Sequence, residues 1–327
     1  MSYKGKKVLV TGAGGFIGSH LAERLVDEGA QVRGLVHYNS LGTSGWLDTS
    51  EKRGDMEIIA GDVRDRDFIN RLLKDIDVVF HLAALIGIPY SYSAPSSYVQ
   101  TNIVGSLNVF QAALDNELEK VVFTSSSEVY GTARYTPIDE DHPLQGQSPY
   151  SATKIGGEKL AESFYRSFGL PVAIIRPFNT YGPRQSARAL IPTVIAQALS
   201  LPSIHVGNTA PTRDLLFVSD TVEGFLEVGA SSKSIGEVIN VGTGKEISVG
   251  GLIELVKKIL GKDLPIEVDE ERIRPITSEV DRLLAETSKA KKLLDWESKI
   301  EIEEGLRKTI PWIEENIASY QPSVYRV

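Results

Sequence analysis

The strongest chemical signal in this sequence is a tyrosine and a lysine four residues apart, Tyr150 and Lys154. On a helix, residues at this spacing lie on one face, about one turn from each other. An ammonium group near a phenol favours the phenolate and lowers the pKa of the tyrosine, which makes the tyrosine usable as a base near neutral pH. Ser126 follows an apolar run and is placed to share a substrate hydroxyl. Together these three residues predict removal of a proton from an alcohol.

A glycine-rich turn follows the first predicted strand, residues 7–11. Its glycines have the spacing Gly-x-x-Gly-x-x-Gly, and an amphipathic helix begins within the turn. A tight turn, a close approach of the backbone and a helix N-terminus together form a site for a pyrophosphate. The predicted contacts in this turn are Gly12, Gly15, Phe16, Ile17 and Gly18. With the tyrosine–lysine pair, the turn predicts alcohol oxidation by a nicotinamide cofactor.

Short apolar runs alternate with helical patterns along the first half of the chain. Six predicted strands lie at 7–11, 31–36, 57–60, 78–82, 121–125 and 172–176, and helices near 99–116 and 152–168 lie among their connections. Such alternation is typical of a parallel sheet covered by helices on both faces. The sequence therefore predicts an α/β fold, a Rossmann-type doubly wound parallel sheet, whose ligands bind at the carboxyl ends of the strands.

After residue 177 the pattern is interrupted repeatedly by glycine and proline. The chain returns to the sheet near 217–247, with one more predicted strand at 237–241. It is mainly helical from about 249, with a short strand near 265–267, and the pattern indicates two interleaved parts. We expect residues 1–177 and about 217–247 to form the NAD-binding Rossmann domain. The remainder, about 178–216 and 248–327, is predicted to form a smaller, discontinuous C-terminal substrate domain.

The composition is that of a soluble globular protein, with 42% hydrophobic and 24% charged residues. The net charge of −8 argues against nucleic acid or an anionic membrane as the main partner. The chain has no cysteine, so disulfides, thiolate nucleophiles and cysteine-ligated metals are excluded, and we expect no metal site. No apolar run approaches the ~20 residues that span a bilayer, and no signal-peptide pattern is present, so we expect a cytoplasmic protein.

The second predicted strand ends without the acid that NAD-binding proteins place against the ribose hydroxyls. The run after it begins at His37 and contains no arginine pair that would accept the 2′-phosphate of NADP. We therefore favour NAD over NADP as the cofactor. Asp62 and Val63, at the end of the third strand, are predicted to border the adenine, although a solvated acid in a turn would have the same spacing.

Motifs spread over nearly the whole chain resemble those of the extended short-chain dehydrogenase/reductase superfamily, specifically its nucleotide-sugar epimerases and dehydratases. Beside the glycine turn and the tyrosine–lysine pair, the matching segments are Gly61-Asp62-Val63-Arg64-Asp65, His81-Leu82-Ala83-Ala84, Thr101-Asn102, Arg176-Pro177-Phe178-Asn179 and Thr212-Arg213-Asp214. More narrowly, segments 88–92, 145–150 and 182–188 resemble the NAD-dependent UDP-N-acetylglucosamine 4,6-dehydratases of legionaminic acid biosynthesis, a route to cell-surface glycans. The resemblance implies an NAD-dependent enzyme that acts on a UDP-sugar.

The resemblance also implies a role for individual residues. Tyr150 would be the base, Lys154 would bind the nicotinamide ribose and tune the tyrosine, and Ser126 would hold the sugar hydroxyl. Arg213 and Arg274 would bind the nucleotide diphosphate. The other implied contacts are His37, Asp62, Val63, Leu82, Ala83 and Ala84 for the cofactor, and Tyr90, Asn179 and Arg188 for the substrate, with Tyr92 as a second pocket aromatic.

Glu128 distinguishes between the reactions of this superfamily. Oxidation of a sugar at C4 acidifies the C5 hydrogen, because the resulting carbanion is delocalised into the ketone. A 4,6-dehydratase removes that hydrogen and protonates the leaving C6 hydroxyl, whereas a 4-epimerase need not. By resemblance, Glu128 stands where dehydratases place their base. Many of them have Thr-Asp-Glu where this chain has Ser126, Ser127 and Glu128, so Glu128 would serve as both base and acid beside Ser127.

The sequence leaves three alternatives to a nucleotide-sugar 4,6-dehydratase, a lyase acting on UDP-N-acetylglucosamine. The same Ser-Glu pair occurs in UDP-glucuronate decarboxylases, which would need a cation for the C6 carboxylate. A UDP-sugar 4-epimerase would need the tyrosine–lysine pair and the cofactor but no base at C5. From another class, the chain could be a sensor that binds NAD or a nucleotide without turnover.

Two predicted helices, near 99–116 and 152–168, have more apolar residues than one buried stripe requires. The additional residues are Val109, Phe110, Phe164, Tyr165 and Phe168. Members of the superfamily pair through these two helices as a four-helix bundle, so the resemblance implies a homodimer. The alternative is that these side chains are buried within one subunit.

Overall fold

A computed structural model describes residues 2–273, 275 and 278–324 of the chain. Its strands are, in chain order, β1 (Lys7–Thr11), β2 (Gln31–His37), β3 (Met56–Gly61), β4 (Val78–His81), β5 (Lys120–Thr124), β6 (Val172–Pro177), β7 (Asn179–Tyr181), β8 (Ile204–Val206), β9 (Thr212–Arg213), β10 (Leu215–Phe217), β11 (Val238–Val241), β12 (Ile247–Ser248), β13 (Ile266–Val268) and β14 (Arg282–Leu283). Its α-helices are α1 (Phe16–Asp27), α2 (Arg66–Leu72), α3 (Ile88–Ser93), α4 (Pro95–Tyr98), α5 (Gly105–Asp115), α6 (Pro149–Phe168), α7 (Leu190–Ser200), α8 (Val218–Ala230), α9 (Val249–Leu260), α10 (Ser288–Leu294) and α11 (Ile302–Glu315).

The main sheet has seven parallel strands in the order β3-β2-β1-β4-β5-β6-β11. Alternate residues of a strand point to opposite faces, and β1 shows the consequence. Val8 and Val10 pack into the hydrophobic core that contains residues of α1 and α8, while Leu9 packs into the core on the other face with residues of α5. The predicted Rossmann-type parallel sheet is therefore confirmed, including the seventh strand that the sequence places near residue 237.

Helix α6 begins earlier than its apolar pattern predicts. Ser148 caps the helix: its hydroxyl accepts the Ser151 N–H, and the Ser151 hydroxyl accepts the Ser148 N–H in return. Pro149, whose fixed φ suits the first helical position, follows the cap. Tyr150 therefore lies in the first turn of α6, and the predicted geometry of the tyrosine–lysine pair on one helix is confirmed.

The predicted helix near 99–116 is not uniform. It begins with a π-helical segment, Val99–Val104, which continues directly into α5. Within the segment, the buried Asn102 side chain accepts the Leu85 N–H at 2.8 Å and donates to the Leu85 carbonyl at 2.9 Å and to the Thr153 hydroxyl at 3.0 Å. Through these bonds, the π-helical segment, whose turns are wider than those of an α-helix, connects the loop after β4 to helix α6. Wide turns of this kind frequently occur at functional sites.

The remaining strands are short and form three small sheets, β10-β7, β12-β9-β14 and β13-β8. The mainly helical chain predicted after residue 249 is present as α9, α10 and α11, together with the predicted short strand, β13. One hydrophobic core contains residues of β1 and α1 as well as of α7, α9 and α11. The division into a cofactor domain and a substrate domain stays a prediction. None of the described helices is long and apolar enough to cross a bilayer.

Fewer apolar side chains are exposed on the two long helices than the sequence predicts. Val109 and Phe110 are fully buried within the subunit and Phe164 is 5% exposed, because α5 and α6 pack these side chains against the sheet. Tyr165 and Phe168 remain exposed, at 39% and 57%. For three of the five residues, burial within one subunit is thus the correct interpretation.

Candidate active site

A short turn after β5 contains three of the predicted catalytic residues. It is a 3-10 helix, Ser127–Tyr130, with Ser126 as its N-cap: the Ser126 hydroxyl accepts the Glu128 N–H at 3.2 Å. Ser127 is buried, whereas Glu128 is half-buried. The turn ends at Gly131, which has a φ of +63°, a conformation that favours glycine.

Helix α6 brings Tyr150 and Lys154 to this turn. The Ser126 hydroxyl lies near enough to the Tyr150 phenol for hydrogen bonding to lower the pKa of the phenol, and Glu128 is near enough for its charge to act on it. The Lys154 ammonium donates to the Thr124 carbonyl, at the last residue of β5, over 2.8 Å. The structure thus assembles all of the predicted acid–base groups at the carboxyl end of one central strand.

The electrostatics of this cluster differ from the prediction. Burial raises the pKa of Tyr150 above its usual range, and the Glu128 charge adds to that shift, while the hydrogen bond from Ser126 opposes it. Burial also lowers the pKa of Lys154 to about 8, against the opposing effect of the Glu158 carboxylate. The expected lowering of the Tyr150 pKa by Lys154 is therefore wrong for the chain alone. The reason is that desolvation disfavours the charged form of each group.

The predicted pyrophosphate turn has no room for side chains at its first and last glycines. Gly12 has a φ of +72°, and a Cβ added to it would lie 3.0 Å from the Ala83 nitrogen. A Cβ on Gly18 would lie 2.2 Å from the Gly12 carbonyl oxygen, so the turn packs directly on the first helical turn. Gly15 is the N-cap of α1, whose first turn contains no acidic residue. The first amides of a helix lack intrahelical partners, so this geometry fits an anionic group.

A neutral histidine holds the neighbouring strand end in place. The Thr11 hydroxyl accepts the N–H groups of Leu82 and Ala83, at 3.1 and 3.0 Å, and therefore donates to Nδ1 of His81, 2.8 Å away. The Ser106 hydroxyl donates to a backbone carbonyl, so it accepts from His81 Nε2. Burial lowers the pKa of His81 to about 3, which keeps the ring neutral. The predicted cofactor contacts at residues 82–84 thus lie on a fixed segment.

The predicted adenine end lies at β2 and β3. His37, the last residue of β2, is exposed and pairs in register with Gly61 of β3. Asp62 follows and binds Arg64 through both of its carboxylate oxygens, and this pairing holds the pKa of Asp62 below its usual range. Val63 is buried, at 5% exposed. Contact of these residues with an adenine stays a prediction.

Tyr98 connects the predicted substrate residues to the catalytic cluster. Its ring packs edge-on against Tyr150, with 6.4 Å between centroids, and at a tilted angle against Tyr90, with 6.2 Å between centroids. The Arg188 guanidinium lies near enough to oppose the rise in the Tyr98 pKa that burial causes. Sequence reasoning missed Tyr98, because an aromatic residue in a short polar run has no distinguishing pattern.

Several polar atoms at the strand ends have no hydrogen-bond partner in the described part of the chain. They are Oγ1 of Thr124, Oγ of Ser125 and Oδ1 of Asn179, and all three are buried. Buried polar atoms are nearly always paired in proteins, so these atoms fit a polar ligand at the strand ends. Asn179 follows the sixth sheet strand, where the sequence predicts a substrate contact.

Diphosphate binding stays a prediction, and the structure describes one of the two predicted arginines. Arg213 lies in β9, is mostly buried and forms an ion pair with Glu279 at 3.4 Å. The neighbouring Ser278 hydroxyl is 2.6 Å from the Tyr92 hydroxyl, so this segment reaches helix α3, which contains the predicted pocket aromatics. Arg274 lies outside the described residues. Across the described ranges, no three or more histidine, cysteine or acidic side chains are grouped as metal ligands.

Comparison with known proteins identifies the family. The family model described as GDP-mannose 4,6 dehydratase matches residues 9–309. The UDP-glucuronate 4-epimerase of Thermodesulfobacterium geofontis is 34% identical over 319 residues, which cover 94% of this chain and 96% of the epimerase. The chain therefore belongs to the GDP-mannose 4,6 dehydratase family, among the nucleotide-sugar epimerases and dehydratases of the extended short-chain dehydrogenase/reductase superfamily.

Solved structures of the superfamily share the whole fold. A dTDP-glucose 4,6-dehydratase from Streptomyces venezuelae with NAD bound is 28% identical, with a TM-score of 0.88 over 97% of this chain and 99% of its own. A UDP-glucuronic acid 4-epimerase from Bacillus cereus, in complex with UDP-glucuronic acid and NAD, is 31% identical, with a TM-score of 0.86 over 95% of this chain and 99% of its own. Both structures contain NAD, but one protein is named as a dehydratase and the other as an epimerase.

The close contact at Gly18 predicts a binding defect. Gly18→Ala should weaken NADH binding by about tenfold or more, since the added methyl group displaces the turn from the helix amides. Fluorescence titration with NADH measures this. Gly250→Ala is the matched control, because its added Cβ in the first turn of α9 makes only ordinary contacts, at 3.6 Å. Equal NADH affinity in both variants would contradict the predicted site.

The buried ammonium of Lys154 predicts a stabilising substitution. Lys154→Met should raise the free energy of unfolding at pH 7 by about 1–2 kcal/mol, because the gain from removing a buried charge exceeds the lost hydrogen bond to Thr124. The pKa is depressed from 10.5 to about 8, so the unfolded wild type binds more protons than the folded chain between these values, and its stability rises with pH there. The gain should therefore shrink as the pH rises through about 8 toward 10.5.

Urea unfolding at pH 7 and pH 10 measures the effect. Lys159→Met is the control on the same helix, because Lys159 is exposed and paired with Glu162. A Lys154→Met chain that is less stable than wild type at pH 7 would show that the ammonium is stabilised by its surroundings.

Proposed function

We propose that this protein is a nucleotide-sugar 4,6-dehydratase that acts on UDP-N-acetylglucosamine, with NAD as its cofactor. The position of Glu128 supports this proposal. Its carboxylate lies in the turn that begins at Ser126, close to the phenol of Tyr150. A base at C4 and a second base at the adjacent C5 are what a 4,6-elimination requires.

The site offers a place for each part of NAD. Gly12, Gly15 and Gly18 would hold the pyrophosphate, and Asp62, which directly follows β3, would border the adenosine. Lys154 lies beside the strand end where the nicotinamide ribose would be bound. Bound NAD supplies a hydride acceptor for C4 and a hydride donor for C6, so none is consumed.

The residues of the chain account for the protons. Tyr150 removes the proton of the C4 hydroxyl, which Ser126 orients. Glu128 removes the C5 proton, and the C6 hydroxyl is protonated by Glu128 as it leaves as water. Two protons are thus removed from the sugar, one from the C4 hydroxyl and one from C5. Two protons are also consumed: one leaves in the water, and the other is returned to C5 when the hydride is returned to C6. The product is the 4-keto-6-deoxy sugar nucleotide.

A UDP-sugar 4-epimerase is the second candidate. Ser127 supports it, because by resemblance many dehydratases have an acid at this position, whereas here it is a hydroxyl that is 2% exposed. Arg188 is relevant to the choice of substrate. It is a cation near Tyr98, and Tyr98 packs against Tyr150. A uronic acid needs such a cation for its carboxylate, so UDP-glucuronate is the second substrate to test.

Incubation of the purified protein with UDP-N-acetylglucosamine, followed by mass spectrometry and proton NMR, tests the proposal. Loss of one water with a new C6 methyl signal is the expected result. An unchanged mass with inverted C4 would make the protein an epimerase. Loss of carbon dioxide from UDP-glucuronate would make it a decarboxylase, and tight NAD binding without any reaction would make it a sensor.

Glu128→Gln separates the two chemical steps. Water elimination should fall by about 10²–10⁴-fold, because the amide cannot accept the C5 proton. Oxidation at C4 should persist and is measured by the absorbance of the reduced cofactor. Glu162→Gln, on the outer face of α6, is the control. Full water elimination by Glu128→Gln would refute the assignment of the base.

We also propose a homodimer that pairs through α5 and α6. Exposed apolar side chains remain on these helices and on the π-helical segment, namely Val99, Leu107, Tyr165 and Phe168. Sedimentation should give a dimer, and Phe168→Glu should shift it to monomer, because a carboxylate would be buried unpaired. Tyr135→Glu, at an exposed aromatic on another loop, should leave the dimer intact. A monomeric wild type at working concentration would remove this proposal.

A further inference from the structure

A buried network of side chains connects helix α6 to the catalytic turn. Glu158 of α6 is fully buried and accepts two hydrogen bonds from Arg176 of β6, at 2.8 Å from Nε and 2.6 Å from Nη2. Nη1 of Arg176 donates to the Tyr130 hydroxyl at 2.7 Å, and that hydroxyl donates to Oδ1 of Asn240 at 2.6 Å. The Arg176 guanidinium also stacks on the Tyr130 ring, 4.8 Å from its centroid.

Stability alone is a weak explanation for this network. A buried ion pair must offset the cost of removing two charges from water, and well-packed apolar residues frequently serve as well. A fully satisfied network does, however, fix the relative position of the elements it joins. Each donor and acceptor named here has a partner with good geometry, and the participating residues come from α6, β6, β11 and the turn after β5.

The two ends of the network lie next to the two halves of the candidate site. Glu158 is one helical turn beyond Lys154 on α6, the helix that also contains Tyr150. Tyr130 is the last residue of the 3-10 helix that contains Glu128. Arg176, between them, is 2% exposed and is therefore too buried to contact a substrate directly.

We propose that Arg176 is a positioning residue that holds the Glu128 turn at a fixed distance from Tyr150 by binding Tyr130 on one side and Glu158 on the other. This inference rests on the proposed function, because it assigns Tyr150 and Glu128 to adjacent carbons of one sugar. Two groups that act on neighbouring carbons must keep their spacing, and a misplacement of about 1 Å can cost roughly 100-fold in rate. Ser126 precedes the turn and lies beside the Tyr150 phenol, so oxidation at C4 should depend less on this network than elimination does.

Tyr130→Phe tests the inference with the smallest change, since the ring stays over Arg176 and the hydroxyl is removed. The kcat for water elimination should fall by about tenfold or more, while KM stays within about twofold. Reduced cofactor should accumulate, because C4 oxidation then outruns elimination. Tyr3→Phe is the matched control: Tyr3 is a buried tyrosine whose hydroxyl donates to the Leu226 carbonyl at 2.7 Å. It should behave as wild type.

Arg176→Lys provides a second variant. Lysine keeps the positive charge opposite Glu158. It lacks the planar guanidinium, which binds Glu158 and the Tyr130 hydroxyl at the same time. The same fall in kcat with unchanged KM is expected. A purely structural role would instead lower the melting temperature without accumulation of reduced cofactor. Wild-type kcat in both variants, or an equal loss in both chemical steps, would overturn the proposal.

Hydrogen exchange separates this inference from the proposed function. Amides of residues 124–132 should exchange faster in Tyr130→Phe than in wild type, and at the wild-type rate in Tyr3→Phe, because only the first change frees the turn. This measurement needs no substrate. If the wild type eliminates no water, the proposed function fails, while the exchange result still decides whether the network holds the turn. Unchanged exchange would reject the network's role.

Discussion

The hydrogen bond from the Lys154 ammonium to the Thr124 carbonyl joins helix α6 to the end of strand β5, and the candidate site depends on it. It places the helix with Tyr150 against the turn that begins at Ser126. The ammonium is buried where it makes this hydrogen bond, and burial lowers its pKa to about 8. The position of Lys154 is thus held at a cost in stability, as is common where function requires a buried charge.

The same burial raises the pKa of Tyr150, so the chain by itself holds both groups in surroundings that favour their neutral forms. A phenol of this kind acts as a base when positive charge approaches it. With NAD bound as the hydride acceptor, the tyrosine, the lysine and Ser126 would allow reversible oxidation of a sugar hydroxyl, a step common to epimerases and dehydratases. Relatives of both names share the fold, so the proposed assignment as a dehydratase rests on Glu128 rather than on the fold.

Much of the fold could be predicted, because parallel strands buried on both faces are continuous apolar runs. The seven strands of the main sheet and the helix with the tyrosine–lysine pair were predicted with bounds close to those observed. The two-residue strands, such as β9, were missed, since two residues have no period. The start of α6 was also missed, because it is set by the polar pair Ser148 and Ser151 rather than by apolar spacing.

The sequence by itself determined what is local: the glycine turn, the spacing of Tyr150 and Lys154, and Glu128 two residues after Ser126. Only the tertiary structure decided that Tyr98 packs on Tyr150, and that Arg176 links Glu158 to Tyr130. It also decided the direction of each pKa shift. The reason is that these properties depend on desolvation and on distances between residues far apart in the chain, and both are set when the elements pack.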